Sequence, residues 1–278
     1  MYRDKLFNQK IYDSAARPPA AIEEIKSLFL YKDLIIQLIR RDLVSRYKRS
    51  VLGVAWTMLN PLGTMLVMTI VFSRVFNRVE SYPAYVLSGL LIWNFFSQTT
   101  RHCMDSTLWG SNLFGKIYLP RTAFIISSIG TGLVNLVLSM LPLTFILLIT
   151  GVAIRPTALL FPLAVIPPAL FSLGVGLLLS TYSVYFPDIA EIYSIFLTAW
   201  MYFSPVVVPE DVLAGIANRW ILKLNPLYYF IKIFRITIYD NRPLSPRLLV
   251  GAVLVSCGIA IIGWLVFTKE SDKFAYHL

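Results

Sequence analysis

The stretch Arg40-Arg41-Asp42-Leu43-Val44-Ser45-Arg46-Tyr47-Lys48-Arg49-Ser50-Val51-Leu52-Gly53-Val54-Ala55-Trp56 sets dense positive charge directly against an apolar segment. Beyond Arg49 no Asp, Glu, Lys or Arg appears until Arg74. A bilayer's hydrocarbon core, about 30 Å thick, takes roughly 20 helical residues at about 1.5 Å each. Val51 to Ser73 fills that length, so the cations mark where water ends and lipid begins.

Five more charge-free stretches follow: Ser81 to Thr100, Thr122 to Ile154, Pro156 to Pro187, Ile192 to Pro209 and Leu248 to Thr268. Of the 278 residues 57% are hydrophobic, and mean hydropathy is +0.68, against an apolar share of about 45–50% in soluble domains. Backbone in lipid must satisfy its own hydrogen bonds, and these runs lack the alternation of barrel strands, so they are read as helices. The expected fold is an all-α integral membrane protein with six transmembrane helices.

The segments around the spans complete the organisation. Residues 1–27 read as a cytoplasmic tail, broken at Arg17-Pro18-Pro19 and lacking the short apolar core of a cleavable signal. Over 28–50 the apolar positions Tyr31, Leu34, Ile35, Leu38, Ile39, Leu43 and Tyr47 recur at three- and four-residue steps, which predicts an amphipathic interface helix. The membrane domain then covers 51–268, with a polar coupling loop at 101–121. Its extracytoplasmic segment 210–246 is too interrupted by Lys232 and Arg235 to span, so short re-entrant helices are expected before the last span. Residues 269–278 form a second cytoplasmic tail. With the N-terminus inside, sixteen of the 25 Lys and Arg residues fall on the cytoplasmic side, as the positive-inside rule requires.

Composition also excludes chemistry. The net charge of +10 is spread beside the spans, which suits topology and anionic headgroups and argues against nucleic acid. Cys103 and Cys257 have no Cys or His at metal spacing, and no metal site is expected. His102 and His277 lie far apart, no paired carboxylates or Ser/His/Asp set is legible, and the spans lack the buried ionisable residues of ion-coupled carriers. Gly110-Ser111-Asn112-Leu113-Phe114-Gly115-Lys116-Ile117 follows a phosphate-cradling loop until Ile117 replaces the metal-binding Ser or Thr. With no strand before it and Pro120 close behind, ATP is expected to bind elsewhere than in this chain.

Two features of the spans stand out. Asn60-Pro61 predicts a kink or local unwinding, because Pro withdraws a helix donor. Tyr193, Phe196, Trp200 and Phe203 fall within an arc of about 80° at about 100° per residue. Such a stripe is either packing and lipid contact or a surface for a passing ligand, and periodicity alone leaves both open.

The opening motif, from Arg40-Arg41-Asp42 through Arg46-Tyr47-Lys48, Leu52-Gly53 and Trp56 to Asn60-Pro61, resembles the start of polysaccharide-export permeases of the ABC transporter superfamily. The resemblance continues through Ser88-Gly89-Leu90 with Trp93-Asn94-Phe95-Phe96, then Lys116-Ile117-Tyr118-Leu119-Pro120-Arg121, and Leu224-Asn225-Pro226-Leu227 with Phe234-Arg235. One departure is Pro187-Asp188, where that family usually has an Arg-Asp pair.

The resemblance implies export of a glycan on a polyprenyl diphosphate lipid, of the O-antigen, teichoic acid or capsule class, across a bacterial inner membrane. It implies a homodimer working with two separate ATP-binding-cassette ATPase subunits that hold ATP and Mg, and no catalysis by the permease itself. On the same footing it implies coupling to the ATPase through Arg40, Arg41, Ser111, Asn112, Leu113, Phe114, Lys116 and Arg121. Arg46, Lys48 and Arg49 would meet the diphosphate headgroup, by the paired hydrogen bonds that suit Arg to phosphate, or would only fix topology. Tyr182 and Tyr185 would extend the Tyr193, Phe196, Trp200 and Phe203 stripe along a channel. Rival expectations are an ABC exporter of drugs or simple lipids with the same architecture, an ion-coupled carrier, and a membrane-embedded polyprenyl-lipid glycosyltransferase. The want of an acidic metal-binding cluster argues against the last.

Overall fold

A computed structural model describes residues 20–48, 50–76, 79, 81–114, 120–154, 156–216, 219–240 and 243–276. Regular structure among them is helical throughout. The order is α1 (Ala20–Leu30), α2 (Lys32–Tyr47), α3 (Ala55–Phe72), α4 (Tyr82–Phe114), α5 (Thr122–Ile149), α6 (Phe161–Tyr185), α7 (Ile189–Tyr202), α8 (Glu210–Ile216), α9 (Arg219–Leu224), α10 (Pro226–Ile238) and α11 (Pro246–Glu270). Short 3-10 turns cover Pro156–Leu160 and Ser271–Tyr276.

Four helical segments are long and apolar enough to cross a bilayer: Ala55–Phe72, Thr122–Ile149, Pro156–Tyr185 and Pro246–Glu270. The other two charge-free stretches fall short for different physical reasons. α4 has 33 residues, but Asn94, Ser97, Gln98, Thr99 and Thr100 dilute its hydropathy. It lies at the centre, packed against α3, α5, α6, α7 and α10, so it needs little lipid-facing surface. α7 has 14 residues and covers about 21 Å at about 1.5 Å each, less than a hydrocarbon core of about 30 Å.

The N-terminal region differs from a single interface helix beginning at Leu28. Helix starts at Ala20, immediately beyond Pro18-Pro19, and is interrupted at Tyr31, whose φ of −97° and ψ of 22° leave the helical well. α2 buries Leu38, while Ile36 and Val44 are exposed on its opposite side, so its apolar residues leave the axis in more than one direction. Ile39 seats on α5 at Gly130, where an added Cβ would lie 2.4 Å from its Cδ1.

α1 acts as a brace. The Glu24 carboxylate accepts from the Thr122 backbone N–H at 3.2 Å and its hydroxyl at 2.8 Å, supplying the cap that Arg121, next in line, does not give α5. The Trp264 indole of α11 donates to the Ala21 carbonyl at 3.2 Å.

α6 and α11 form the most extensive pairing in the bundle. They meet backbone to backbone at Gly174 and Gly263, where a Cβ on either would lie 2.4–2.6 Å from main-chain atoms of the other helix. Small residues at such a crossing let dispersion contacts accumulate where no hydrophobic drive between helices exists.

α10 is a short buried helix. Asn225 caps it by accepting from Leu227 N–H at 3.0 Å, and Pro226 takes the first-turn position where no donor is needed. Ten of its thirteen residues are buried. Among them is Arg235, which donates to the Tyr85 carbonyl at 2.8 Å, the Ser88 hydroxyl at 3.2 Å and the Val206 carbonyl at 3.3 Å, with its guanidinium 3.5 Å from the Tyr85 ring centroid.

α3 is the most loosely held span, burying only Pro61 and Met65. Its helix stays continuous through Pro61 instead of breaking. The Thr57 carbonyl, which would have accepted the missing N–H, lies 3.3 Å from the Ser139 hydroxyl of α5, which is shared with Asn135 O at 2.8 Å. Ser139→Ala should therefore cost about 1 kcal/mol of thermal stability. In a Pro61→Ala background, where an N–H returns to Thr57, the loss should shrink to a few tenths of that figure; an unchanged loss would refute the pairing.

Candidate functional site

Three neighbouring helices bring uncharged polar side chains to one place. Thr57 and Asn60 of α3, Asn94, Gln98 and His102 of α4, and Ser128, Thr131, Asn135 and Ser139 of α5 line a cleft of about 370 Å³. Each set repeats at three- or four-residue steps, so each helix turns one polar face inward. Trp56 and Phe95 add aromatic faces to the wall.

Polar atoms of this wall are not all satisfied within the protein. The Thr99 and Thr131 hydroxyls and the Asn135 side-chain oxygen are buried and have no hydrogen-bond partner. Such a group costs about 1–3 kcal/mol when left unmade.

At the cleft's edge Asp42, His102 and Ser128 stand in line, an arrangement that the linear sequence hides because each comes from a different helix. His102 Nδ1 is 2.8 Å from the Ser128 hydroxyl, and Nε2 is 3.9 Å from Asp42. The second distance is too long for the hydrogen bond that orients a catalytic imidazole. Ser128 also lies within α5, whose backbone amides are spent on the helix, leaving no oxyanion donors. The set joins α2, α4 and α5 without the geometry of a hydrolase.

The sequence has relatives among known proteins. A family model described as ABC-2 type transporter matches residues 33–239, well over half of the chain. The chain belongs to the ABC-2 type transporter family. An O-antigen export system permease protein, RfbA, of Myxococcus xanthus is 30% identical over 91% of this chain and 98% of its own length. A Klebsiella pneumoniae protein of the same name is 23% identical over 87% of this chain and 94% of its own. The capsule polysaccharide export inner-membrane protein CtrC of Neisseria meningitidis is 23% identical over 86% and 93%. The resemblance to polysaccharide-export permeases is borne out.

In this ABC-2 transporter the aromatic stripe resolves into parts. Tyr193, Phe196 and Trp200 form a ladder, with ring centroids 6.5 and 5.0 Å apart along α7. Tyr193 is buried and its hydroxyl is 2.8 Å from that of Thr100. Trp200 donates its indole N–H to Asn225 at 2.9 Å and meets Phe96 edge-on at 5.3 Å. Phe196 and Phe203 remain half exposed, at 52% and 49%. Tyr182 is exposed. Tyr185 belongs to another cluster, donating to Glu270 at 2.9 Å and packing edge-on against Phe274 at 6.4 Å.

The cationic positions of the transporter divide likewise. Arg40 and Arg41 are exposed on α2, and Arg41 pairs with Asp42 at 2.8 Å. Arg121 sits over the Phe274 ring at 5.6 Å. Lys48 is exposed. Arg46 lies in the last turn of α2, and Ser111, Asn112, Leu113 and Phe114 end α4, with side chains outside the described residues; Arg49 and Lys116 lie outside them entirely. Gly110 to Phe114, the start of the apparent phosphate loop, are the last turn of a helix, not a strand-to-helix turn. Near the α11 end the Glu270 carboxylate, 2.9 Å away, holds the Lys273 ammonium above its ordinary value through hydrogen bonding and charge.

Among the described residues none of the predicted site positions lines the cleft. The signal was present in the helical spacing of Asn94, Gln98 and His102 and of Ser128, Thr131, Asn135 and Ser139. A search for charge at membrane depth passes over it because all but one of these side chains are permanently neutral.

Proposed function

We propose that this chain is the membrane subunit of an ATP-driven exporter that moves a polyprenyl-diphosphate-linked polysaccharide from the cytoplasmic to the outer side of a bacterial inner membrane. The observation that carries the reading is the match, over 98% of its length, to a protein named as an O-antigen export permease. The uncharged hydroxyl and amide lining of the cleft supports it, since sugars are bound by such groups and by aromatic faces.

Two copies work with two ATP-binding-cassette subunits, which supply ATP and Mg, and both termini face the cytoplasm. α4 makes a fifth crossing, and α7 a sixth together with the uncharged turns that follow it at 203–208. At 33 residues α4 exceeds the membrane's thickness, so its last turns, Ser111 to Phe114, project toward the ATPase with Lys116 and Arg121, beside Arg40 and Arg41 of α2. Arg46, Lys48 and Arg49 meet the diphosphate at the inner leaflet, and the α7 ladder, opened to the surface at Phe196 and Phe203, borders the glycan's route.

The test is reconstitution of the chain with its ATPase in proteoliposomes. Lipid-linked glycan should be translocated and should stimulate ATP hydrolysis, and Phe196→Ala with Phe203→Ala should lower translocation several-fold while leaving protein yield unaltered. Stimulation by drugs or glycan-free lipids alone would favour the exporter of simple amphiphiles. Transport on an ion gradient without ATPase, or turnover of a sugar donor by the purified chain, would refute the proposal.

A further inference from the structure

We infer that the cleft between α3, α4 and α5 binds an uncharged, polyhydroxylated ring, a pyranose unit of the transported glycan. The inference rests on the export reading and gives each protomer its own sugar site, apart from the α7 ladder.

Size comes first. At about 370 Å³ the cleft stands at the lower end of small-molecule pockets, about 300–1,000 Å³, which suits one ring and not an extended chain.

Chemistry narrows the ligand. Among the described residues no Lys, Arg, Asp or Glu lines the cleft, and the one titratable side chain that does, His102, stands at its edge against Asp42, so the interior offers no fixed charge to compensate a phosphate or an ammonium group. A hydrocarbon tail would leave the polar wall dry and unpaired. A sugar hydroxyl both donates and accepts, which is what the orphaned Thr99 and Thr131 hydroxyls and the Asn135 oxygen lack. Both threonines are only 2% exposed, so their polarity serves no outer surface. Trp56 and Phe95 bring aromatic rings to the same wall, the kind of group that packs against the apolar C–H side of a sugar.

Position fits entry. Ser50, at the boundary between cations and lipid, is among the residues that line the cleft, as are residues from the first turns of α3. A glycan tethered to lipid at that depth presents its first sugars there.

The experiment uses the complex of this chain with its ATPase in lipid nanodiscs, titrated with methyl α-glucopyranoside and followed by saturation-transfer NMR of the sugar. Saturable binding is expected. It should weaken about fivefold, the effect of one net hydrogen bond, in Thr131→Val, which keeps the side chain's shape, or in Asn135→Leu. Inorganic phosphate should not compete. No saturable signal, as for a cleft filled only by water, overturns the inference; so does unchanged affinity in both variants, or displacement by phosphate. Glycan translocation by the unsubstituted complex is scored separately. Translocation without sugar binding sinks the cleft alone, whereas sugar binding without translocation sinks the export reading.

Discussion

Arg235→Met is expected to remove about 3 kcal/mol or more of stability and to lower the thermal unfolding midpoint of the purified chain by about 10 °C. The guanidinium lies inside the bundle, 8% exposed, and is held by the Tyr85 and Val206 carbonyls, the Ser88 hydroxyl and the face of Tyr85. Methionine fills much of the volume yet withdraws the guanidinium's donors from the Val206 and Tyr85 carbonyls, the latter keeping only the weaker, neutral Ser88 hydroxyl at 2.8 Å, and a hydrogen bond to a charged group is worth about 1.5–3 kcal/mol. Gly89 shows how tightly the group is fitted, since a Cβ there would lie 2.7 Å from Arg235 Nη2. Arg235→Lys should recover less than half of the loss, because an ammonium cannot reproduce the planar fork or its stacking. A midpoint within about 2 °C of the unsubstituted protein would show that α10 is seated by its apolar residues alone.

The second large effect belongs to the α6–α11 crossing. Gly174→Leu should prevent recovery of folded protein from the membrane, or cost about 3 kcal/mol where some survives. The new side chain meets Ile259 and Ala260 main-chain atoms at 2.5–2.6 Å, and backbone cannot rotate out of the way as a side chain can. Gly251→Leu on the same α11 meets nothing within 4 Å and should change stability by no more than about 0.5 kcal/mol. Fluorescence-detected gel filtration of the two variants side by side measures this contrast. Equal yields would mean that the two helices separate without penalty.

The sequence made the membrane and the helices legible because the cost of burying charge in lipid is written into composition. It made the crossings less legible. Six charge-free runs led to six expected spans, whereas α4 earns its place by facing protein, and its Asn94 and Gln98 read as dilution until the cleft shows what they face. Arg235 and Lys232 marked 210–246 as unfit to span, but not that Arg235 turns inward to the Tyr85 and Val206 carbonyls while Lys232 pairs with Glu210 at 3.1 Å. The Tyr193 to Phe203 stripe was correct as a spacing. Which of its rings are spent on Thr100 and Asn225 depends on partners 93 and 25 residues away, and periodicity holds no record of those.

The brace formed by α1 has a further consequence in the order of synthesis. Glu24 is made 98 residues before the helix start it caps, and Ala21 lies 243 residues ahead of the indole that binds it. The earliest described helix thus holds half of two joints whose other halves emerge later, and the second joint closes only once Trp264 has left the ribosome. Until then α5 begins with an uncapped turn or relies on Glu24 alone, and α11 has no tether to the N-terminal region through Trp264. Making α11 is what latches α1.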